Sequence, residues 1–323
     1  MAAAGTGLQE VSTLLAKLGV GISQGIGTGG RDLKEEIGGI VMLEGLKALQ
    51  GDLETRVILL VSKPPSPVVA ERVLDQVKKS NKPTVVCFLG SDPAPIAATG
   101  AIPARTLQEA AYLAAAEVEG YEGASADEEI ERETVDLLSR AVELKERLEP
   151  EQRYLRGLFS GGTLASEALV VWKDILGEVF SNVALESRWK LKDTTHCEGN
   201  CALDLGEEEF TVGRPHPMID NDLRIRRLMQ EAADPEVGVI VLDVVLGYGA
   251  HPDPASELGP AIRRAREQAS EEGRELIVVA SVTGTKEDPQ GLERQVRALR
   301  DAGAIVRTCN AAAARLAGFI VAP

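Results

Sequence analysis

The chain has 323 residues, with 35 Lys and Arg against 50 Asp and Glu, which gives a formal net charge of −15. A content of 44% hydrophobic and 26% charged residues is typical of a soluble globular protein of about two domains and excludes wholesale disorder. The negative balance excludes broad contact with nucleic acid, which needs a basic face. No apolar stretch approaches the roughly 20 residues of a membrane helix. The four cysteines do not make a disulfide framework, so we expect a reduced, cytoplasmic protein without a signal peptide.

Strand and helix patterns alternate in the first part of the chain. Apolar runs predict strands at 18–23, 56–62 and 83–90. Helical spacing of apolar residues predicts helices at 32–50, 68–80 and 106–117. The last of these helices has Thr106 at its N-cap and Glu109 in the capping-box position. The charged segment 119–153 has few Pro or Gly residues, which indicates a connecting helix.

The same order of patterns recurs in the second part of the chain. It predicts strands at 154–159, 238–246, 275–281 and 305–308, and helices at 164–172, 256–273, 288–302 and 311–318. An insertion at about 177–222 holds nearly all the unusual polar residues. Because parallel strands need helical crossovers, we predict two α/β domains, each with a doubly wound parallel sheet. The first covers 1–150, connecting helix included, and the second covers 151–323.

Glycine-rich or polar turns follow several of the predicted strands. In a parallel sheet, ligands bind at the carboxyl ends of the strands, where helix N-termini present unpaired amides that attract anions. Steric need alone also explains glycine at such a turn, but four loops at matching places favour anion binding. The spacing fits neither a dinucleotide fingerprint nor a Walker loop. The candidate phosphate- or anion-binding residues are Gly27, Thr28, Gly29, Gly30, Ser62, Lys63, Ser160, Gly161, Gly162, Thr163, Gly247 and Gly249.

Two histidines lie in segments with a restricted backbone. Pro215 and Pro217 flank His216 and hold it in place, which favours ligand contact or general acid–base catalysis over a rigid surface turn. His251 stands before a predicted helix start in a glycine-rich loop, where it is expected either to bind an anion or to help cap the helix. Both histidines are candidate catalytic residues.

A zinc site at His196, Cys197 and Cys201 is not expected. Structural zinc sites normally have two close pairs of ligands, and only His216 offers a nearby fourth ligand. We therefore predict neither a metal nor another cofactor. Asp243 is a polar residue within an apolar strand, so it should face the mouth of the sheet or pair with an arginine.

Five segments of the chain resemble the FdrA family of acyl-CoA synthetase-like proteins, which are similar to succinyl-CoA synthetase. They are ISQGIGTGGRDL, RVILLVSKPPSP, TVVCFLGSDP, DLGEEEFTVGRPHPMID and VIVLDVVLGYGAHPDPA. The resemblance implies that the two predicted domains are the α-type and β-type ligase domains, both flavodoxin-like. It also implies that the family's N-terminal CoA-binding domain is absent.

Two positions depart from succinyl-CoA synthetase. The segment after Gly90, SDPAPIAATGAIPA, lacks the histidine that carries phosphate in that enzyme. Ser62 and Lys63 stand where the glutamate that orients this histidine is expected. A ligase that works through phosphohistidine is therefore not expected from this chain.

The resemblance implies a subunit of a carbamoyltransferase complex in ureide (allantoin) breakdown. FdrA-type proteins are associated with oxamate carbamoyltransferase, in which oxalurate and phosphate give oxamate and carbamoyl phosphate, together with partner subunits. On this hypothesis the glycine loops bind phosphate, and His216 or His251 polarises the carbonyl group. Arg31 or Arg214 then holds the carboxylate of the small anionic substrate. The alternatives are a subunit of an acyl-CoA or carboxylate ligase and a non-catalytic scaffold subunit.

Overall fold

The computed structural model describes all residues from Met1 to Pro323. The chain divides into two compact units, Met1–Glu131 and Arg132–Pro323. Each unit has its own parallel β-sheet and its own hydrophobic core, which confirms the predicted α/β fold class. No helix has both the length and the apolar character needed to cross a bilayer.

Unit 1 is built on a sheet of three parallel strands in the order β1-β2-β3. The strands are β1 (Ile58–Ser62), β2 (Thr84–Phe88) and β3 (Ile102–Pro103). The helices are α1 (Gly5–Lys17), α2 (Ile40–Gly51), α3 (Pro67–Val77), α4 (Pro93–Ala97) and α5 (Leu107–Ala116). Every residue of β1 and β2 is buried, as expected for parallel strands covered on both faces. The predicted cap of α5 is confirmed, since Thr106 accepts a hydrogen bond from the amide of Glu109 (3.1 Å).

Two predicted elements of unit 1 are wrong. Residues 18–23 do not form a strand, because Gly19 adopts a positive φ of 77° directly after α1 and the segment stays largely exposed. The predicted helix 32–50 begins only at Ile40. Gly38 and Gly39, with φ of 79° and 75°, interrupt the apolar spacing that precedes it.

Unit 2 contains a sheet of six parallel strands in the order β5-β6-β4-β7-β8-β9. The strands are β4 (Tyr154–Phe159), β5 (Phe180–Ser181), β6 (Cys201–Asp204), β7 (Val237–Val245), β8 (Ile277–Thr283) and β9 (Ile305–Arg307). The helices are α6 (Ala126–Lys145, which starts in unit 1), α7 (Gly162–Leu176), α8 (Glu208–Thr211), α9 (Asp222–Ala232), α10 (Pro254–Glu271), α11 (Leu292–Asp301) and α12 (Asn310–Val321). Without the edge strand β5, this is the flavodoxin-like order 2-1-3-4-5.

The helices of unit 2 cover both faces of its sheet. Helices α7 and α12 pack together on one face, while α9, α10 and α11 pack on the other. The strand order changes direction at β4, so the carboxyl ends of β4 and β7 enclose the crevice in which α/β proteins of this type bind ligands. The insertion predicted at 177–222 supplies β5 and β6, so part of it belongs to the sheet itself.

Candidate functional site

The crevice at the carboxyl ends of β4 and β7 holds several buried polar residues of unit 2. The chain leaves β4 at Phe159 and enters α7 at Gly162, so the predicted loop 160–163 forms the N-terminus of that helix. The register places Leu158 opposite Leu242 in β7. Asp243 therefore lies beside the end of β4.

The Asp243 carboxylate accepts three hydrogen bonds from the loop after β4. It accepts from the amide of Ser160 (2.7 Å), the hydroxyl of Ser160 (2.9 Å) and the amide of Gly161 (2.9 Å). Asp243 is fully buried. The first two amides of the glycine turn, and the Ser160 hydroxyl, are thus already bound to a carboxylate of the protein itself.

Arg224 of α9 neutralises this carboxylate. Its Nη2 lies 3.2 Å from Oδ1 of Asp243 and also donates to the Asp243 carbonyl oxygen. Burial lowers the pKa of Arg224, and Asp243 opposes this shift. The prediction that Asp243 pairs with an arginine is confirmed. The Nε atom of Arg224 is buried without a hydrogen-bond partner.

The first turn of α7 keeps further donors beyond those bound to Asp243. Gly162 and Thr163 are the first residues of the helix, so their amides have no intrahelical acceptor. Thr163 is 1% exposed, and its hydroxyl oxygen is buried without a hydrogen-bond partner. Buried polar groups in proteins are normally paired, and an unpaired one at a helix N-terminus is well suited to contact an anion.

His216 is half-buried near this turn. Its Nδ1 accepts a hydrogen bond from the amide of Met218 (3.2 Å), so the neutral ring carries its proton on Nε2. Burial lowers the pKa of His216 from its usual 6.5, with a further contribution from Arg224, whereas Asp243 raises it. The imidazole is therefore a neutral donor near pH 7.

Gly206 allows His216 to approach the loop after β4. A Cβ atom at Gly206 would lie 2.7 Å from Nε2 of His216 and 2.9 Å from the carbonyl oxygen of Ser160. Both distances are shorter than real Cβ contacts allow. The position beside His216 therefore requires glycine, which sequence analysis did not single out.

His251 is held by its neighbours in the loop after β7. Its Nδ1 accepts from the amide of Asp253 (3.0 Å), and its Nε2 lies 3.3 Å from Glu257. Its own amide donates to the carbonyl of Met218 (2.9 Å), which joins this loop to the His216 segment. These contacts orient His251 as part of the framework around His216.

The two glycines predicted in this loop lie outside the first turn of a helix. The side-chain amide of Gln290 binds Gly247 at both backbone groups. Its Oε1 accepts from the Gly247 amide (3.2 Å), and its Nε2 donates to the Gly247 carbonyl (2.7 Å). Gly249 is surrounded by open space. The adjacent Tyr248 is 95% exposed, so the tip of the loop faces solvent.

The glycine loop of unit 1 pairs with the residues beside β1. Gly27 and Val61 both bridge to Ala2, and the amide of Thr28 donates to the Ala2 carbonyl (2.9 Å). Gly29 has a positive φ of 79°, and Gly30 completes the turn. The loop thus lies alongside the sheet rather than at the start of α2.

Three hydroxyl oxygens in unit 1 are buried without hydrogen-bond partners. They belong to Thr28, Ser62 and Ser66. Ser62 ends β1, and Ser66 is the N-cap of α3. Lys63, between them in the chain, is partly exposed. Arg31 and Arg214 are both exposed, and their assignment to a substrate carboxylate stays a prediction.

No group of three or more His, Cys, Asp and Glu side chains is arranged to hold a metal ion. His196 is directed to Asp193, with its Nδ1 3.2 Å from Oδ2, and its side chain is 79% exposed. Sequence analysis also missed the role of Arg224. The only available signal was that an arginine must neutralise Asp243, and α9 offers several.

A family model described as CoA-ligase matches residues 158–320, about half of the chain. The chain therefore belongs to the CoA-ligase family. It is 44% identical over 312 residues to the uncharacterized protein YahF of Escherichia coli (strain K12), covering 95% of this chain and 59% of YahF. The chain thus spans about three fifths of the length of this relative.

Two solved structures are also similar to the chain. PH0766 from Pyrococcus horikoshii OT3 has a TM-score of 0.31 at 14% identity, over 94% of this chain and 59% of that protein. The dinucleotide-forming acetyl-coenzyme A synthetase 1 of Ca. Korarchaeum cryptofilum, in complex with phosphate and ADP, has a TM-score of 0.37 at 14% identity. That match covers 99% of this chain and 62% of the synthetase.

The family assignment corrects the functional prediction. The interpretation of the chain as a carbamoyltransferase subunit of allantoin catabolism is wrong, because the matching family consists of CoA ligases. The ligase alternative, which was set aside for want of a phosphohistidine, is the better supported of the two.

Proposed function

We propose that the chain is a subunit of a carboxylate–CoA ligase of the succinyl-CoA synthetase type, and that unit 2 binds the phosphate group of an acyl phosphate. The observation that carries this proposal is the set of unused donors at the start of α7. These are the first-turn amides of Gly162 and Thr163 and the buried, unpartnered hydroxyl of Thr163. Membership of the CoA-ligase family supports the choice of substrate.

The charges around these donors favour an anion despite the nearby carboxylate. Asp243 is neutralised by Arg224 at 3.2 Å, so the buried pair carries no net charge. The N-terminus of α7 contributes a partial positive charge. His216 contributes a neutral Nε2–H donor, since its Nδ1 is occupied by the Met218 amide.

The reaction assigned to this site is acyl transfer between phosphate and the thiol of CoA. The sulfur of CoA attacks the acyl carbon, the carbon–oxygen bond to phosphate breaks, and phosphate leaves with the thiol proton. Fixed N–H donors stabilise the negative charge that develops on the acyl and phosphate oxygens. Because His216 carries its proton on Nε2, its role is donation to these oxygens rather than removal of the thiol proton.

Partner subunits then carry out the nucleotide-dependent formation of the acyl phosphate. The residues after Gly90 provide no histidine for a phosphohistidine step. The unpartnered hydroxyls of Thr28, Ser62 and Ser66 support a second anion-binding position in unit 1. We also propose membership of the FdrA branch of the family and a cytoplasmic location, where CoA thioesters are available.

The test is arsenate-dependent cleavage of acyl-CoA by the purified full chain. Arsenate replaces phosphate in the reverse reaction, and the acyl arsenate then hydrolyses, so CoA accumulates. Acetyl-CoA, propionyl-CoA and succinyl-CoA are each tested, with inorganic phosphate binding measured by calorimetry on the same sample. We expect arsenate-dependent release of CoA from at least one of them. Thr163→Val should lower its rate by about a hundredfold, the low end of the effect of removing one preorganised donor.

Ser12→Ala is the matched control, because Ser12 lies on α1 of unit 1, outside the residues placed in the site. It should retain arsenate-dependent cleavage at the rate of the unmodified chain. Absence of phosphate binding would overturn the proposal, since this binding needs only the residues of unit 2. Equal activity of Thr163→Val and the unmodified chain would overturn the placement of the anion at α7.

A further inference from the structure

Cys197 and Cys201 lie at the end of the unit 2 sheet opposite to the acyl phosphate site. Cys201 is the first residue of β6 and is fully buried between Arg156 of β4 and Phe180 of β5. Cys197 is half-buried in the preceding loop. Both cysteines lie at one buried cluster, because Arg227 contacts the sulfur of Cys197, Arg156 stands opposite Cys201 in the strand register, and the two arginines share Glu231. Burial, and after it Cys197, raises the pKa of the Cys201 thiol.

The backbone between the two cysteines turns back on itself. Gly199, midway between them, has a positive φ of 50°, which favours glycine. Its carbonyl oxygen accepts a hydrogen bond from Nη1 of Arg156. The hydrogen bond from Arg156 therefore holds the bend between the two cysteines in place.

A guanidinium group contacts the sulfur of Cys197 directly. Nη2 of Arg227 donates to Sγ of Cys197 at 3.3 Å, and its Nη1 donates to the carbonyl of Thr194 at 2.6 Å. Because the thiolate is the nucleophilic form of cysteine, a cation beside the sulfur promotes its reaction with an electrophile.

Two guanidinium groups and two carboxylates form the cluster beside the cysteines. Arg156 and Arg227 are both buried, and they share the single buried carboxylate of Glu231, at 2.7 Å and 2.6 Å. The second carboxylate, Asp234, pairs with Arg156 at 2.9 Å, accepts from the amide of Glu236 (3.0 Å) and is partly exposed. Arg227 uses its Nε for Glu231 and its Nη2 for the sulfur of Cys197.

We propose that Cys197 and Cys201 form a peroxide-reactive dithiol. The Cys197 thiolate attacks one oxygen of a hydroperoxide and the O–O bond breaks. Cys197 becomes a sulfenic acid, and the second oxygen leaves as an alcohol or water. The sulfur of Cys201 then attacks the sulfenic sulfur, which releases water and closes a disulfide. Two thiols and one hydroperoxide are converted into one disulfide, one alcohol and one water.

The first experiment identifies the oxidised residues. The reduced full chain is treated with an equimolar amount of hydrogen peroxide, denatured, alkylated and digested with trypsin. No Lys or Arg stands between Cys197 and Cys201, so both fall in one peptide. We expect this peptide to lose both alkyl groups and to regain them after dithiothreitol, while Cys87 and Cys309 stay alkylated. Alkylation of all four cysteines would overturn the proposal. Oxidation of Cys87 or Cys309 to the same extent as Cys197 and Cys201 would also overturn it.

Single variants separate the two roles. In Cys201→Ser, the reaction should stop at a sulfenic acid on Cys197, which dimedone captures. In Cys197→Ser, consumption of peroxide should slow by tenfold or more, because the remaining thiol of the pair is buried. If dimedone labels Cys201 in Cys197→Ser as fast as it labels Cys197 in Cys201→Ser, Cys197 is not the residue that reacts first with peroxide.

The last comparison tests the contribution of Arg227. Arg227→Gln should slow the reaction of Cys197 with peroxide by about tenfold, whereas Arg226→Gln, on an exposed neighbour of the same helix, should leave the rate unchanged. Equal rates in both variants would show that the guanidinium of Arg227 does not promote the reaction of Cys197. If Arg227→Gln does not fold, Arg227→Lys keeps the positive charge and should retain more than half of the rate.

Discussion

Arg224 and Asp243 form an ion pair with both side chains buried, at 2% and 0% exposure and an Nη2–Oδ1 distance of 3.2 Å. The pair joins α9 to β7, and the carboxylate in turn fixes Ser160 and Gly161 before α7. The Arg224–Asp243 pair thus determines the geometry of the helix N-terminus to which we assign the acyl phosphate. Its partners are 19 positions apart in the sequence.

Arg224→Met should strongly destabilise unit 2. It leaves the Asp243 carboxylate buried without a cation, which costs about 3–5 kcal/mol of the free energy of unfolding. Arg226→Met is the matched control, since Arg226 pairs with Asp222 at the surface and such pairs are worth at most about 1 kcal/mol. Urea unfolding followed by tryptophan fluorescence measures both, because Trp172 and Trp189 lie in unit 2. Similar losses in the two variants would contradict the importance of the buried pair.

His216→Gln should reduce the pH dependence of stability. The pKa of His216 is lowered in the folded protein, so below its usual value of 6.5 the unfolded chain binds more protons than the folded one. The free energy of unfolding then falls as the pH decreases through this range and is unaffected above it. Glutamine keeps an N–H donor but does not titrate. Between about pH 7 and pH 5 the unmodified chain should therefore lose more stability than the variant. Urea midpoints that change with pH by the same amount in both proteins would contradict this.

Gly206→Ala should displace His216 from the site. The added Cβ would lie 2.7 Å from Nε2 of His216 and 2.9 Å from the Ser160 carbonyl, and overpacking of this kind costs about 1–3 kcal/mol. Gly21→Ala is the control, because Gly21 has no positive φ and open space around its Cβ position. We expect weaker phosphate binding by calorimetry in Gly206→Ala only. Unchanged binding in both variants would show that His216 does not contact the anion.

The strands were predictable where a long apolar run ends in a turn. The runs at 56–62 and 83–90 became β1 and β2, and 238–246 became β7. In contrast, β6 has only four residues, Cys201–Asp204, between polar loops, so no periodicity marked it. It was placed in an insertion although it pairs directly with β4.

The candidate site could be predicted only in part, because its key contacts join distant residues. The start of α7 followed from the position of the glycine turn after an apolar run. Asp243 accepts hydrogen bonds from that turn, and Arg224 pairs with Asp243. This arrangement depends on how α9 packs against the sheet. Local sequence patterns carry no information on that packing, and α9 offers Arg224, Arg226 and Arg227 as equivalent candidates.

A second carboxylate, that of Asp32, lies at the N-terminus of a helix. Asp32 caps α2, although it stands eight positions before the first residue of that helix. Its two oxygens accept from the amides of Val41 (2.9 Å) and Met42 (2.8 Å), and the residue is 4% exposed. Asp32→Ala should lower the free energy of unfolding of unit 1 by about 1–3 kcal/mol, since two amides, that of Met42 buried and that of Val41 partly buried, lose their acceptor.

Asp92→Ala provides the control for this cap. Asp92 accepts from the amide of Ala94 alone, in an exposed position where water replaces the lost acceptor, so its removal should cost under about 1 kcal/mol. Differential scanning calorimetry of the full chain measures both variants. Asp32→Asn should recover part of the loss, because an amide oxygen still accepts one of the two hydrogen bonds. If Asp32→Ala and Asp92→Ala shift the transition equally, Asp32 is not the residue that stabilises the start of α2.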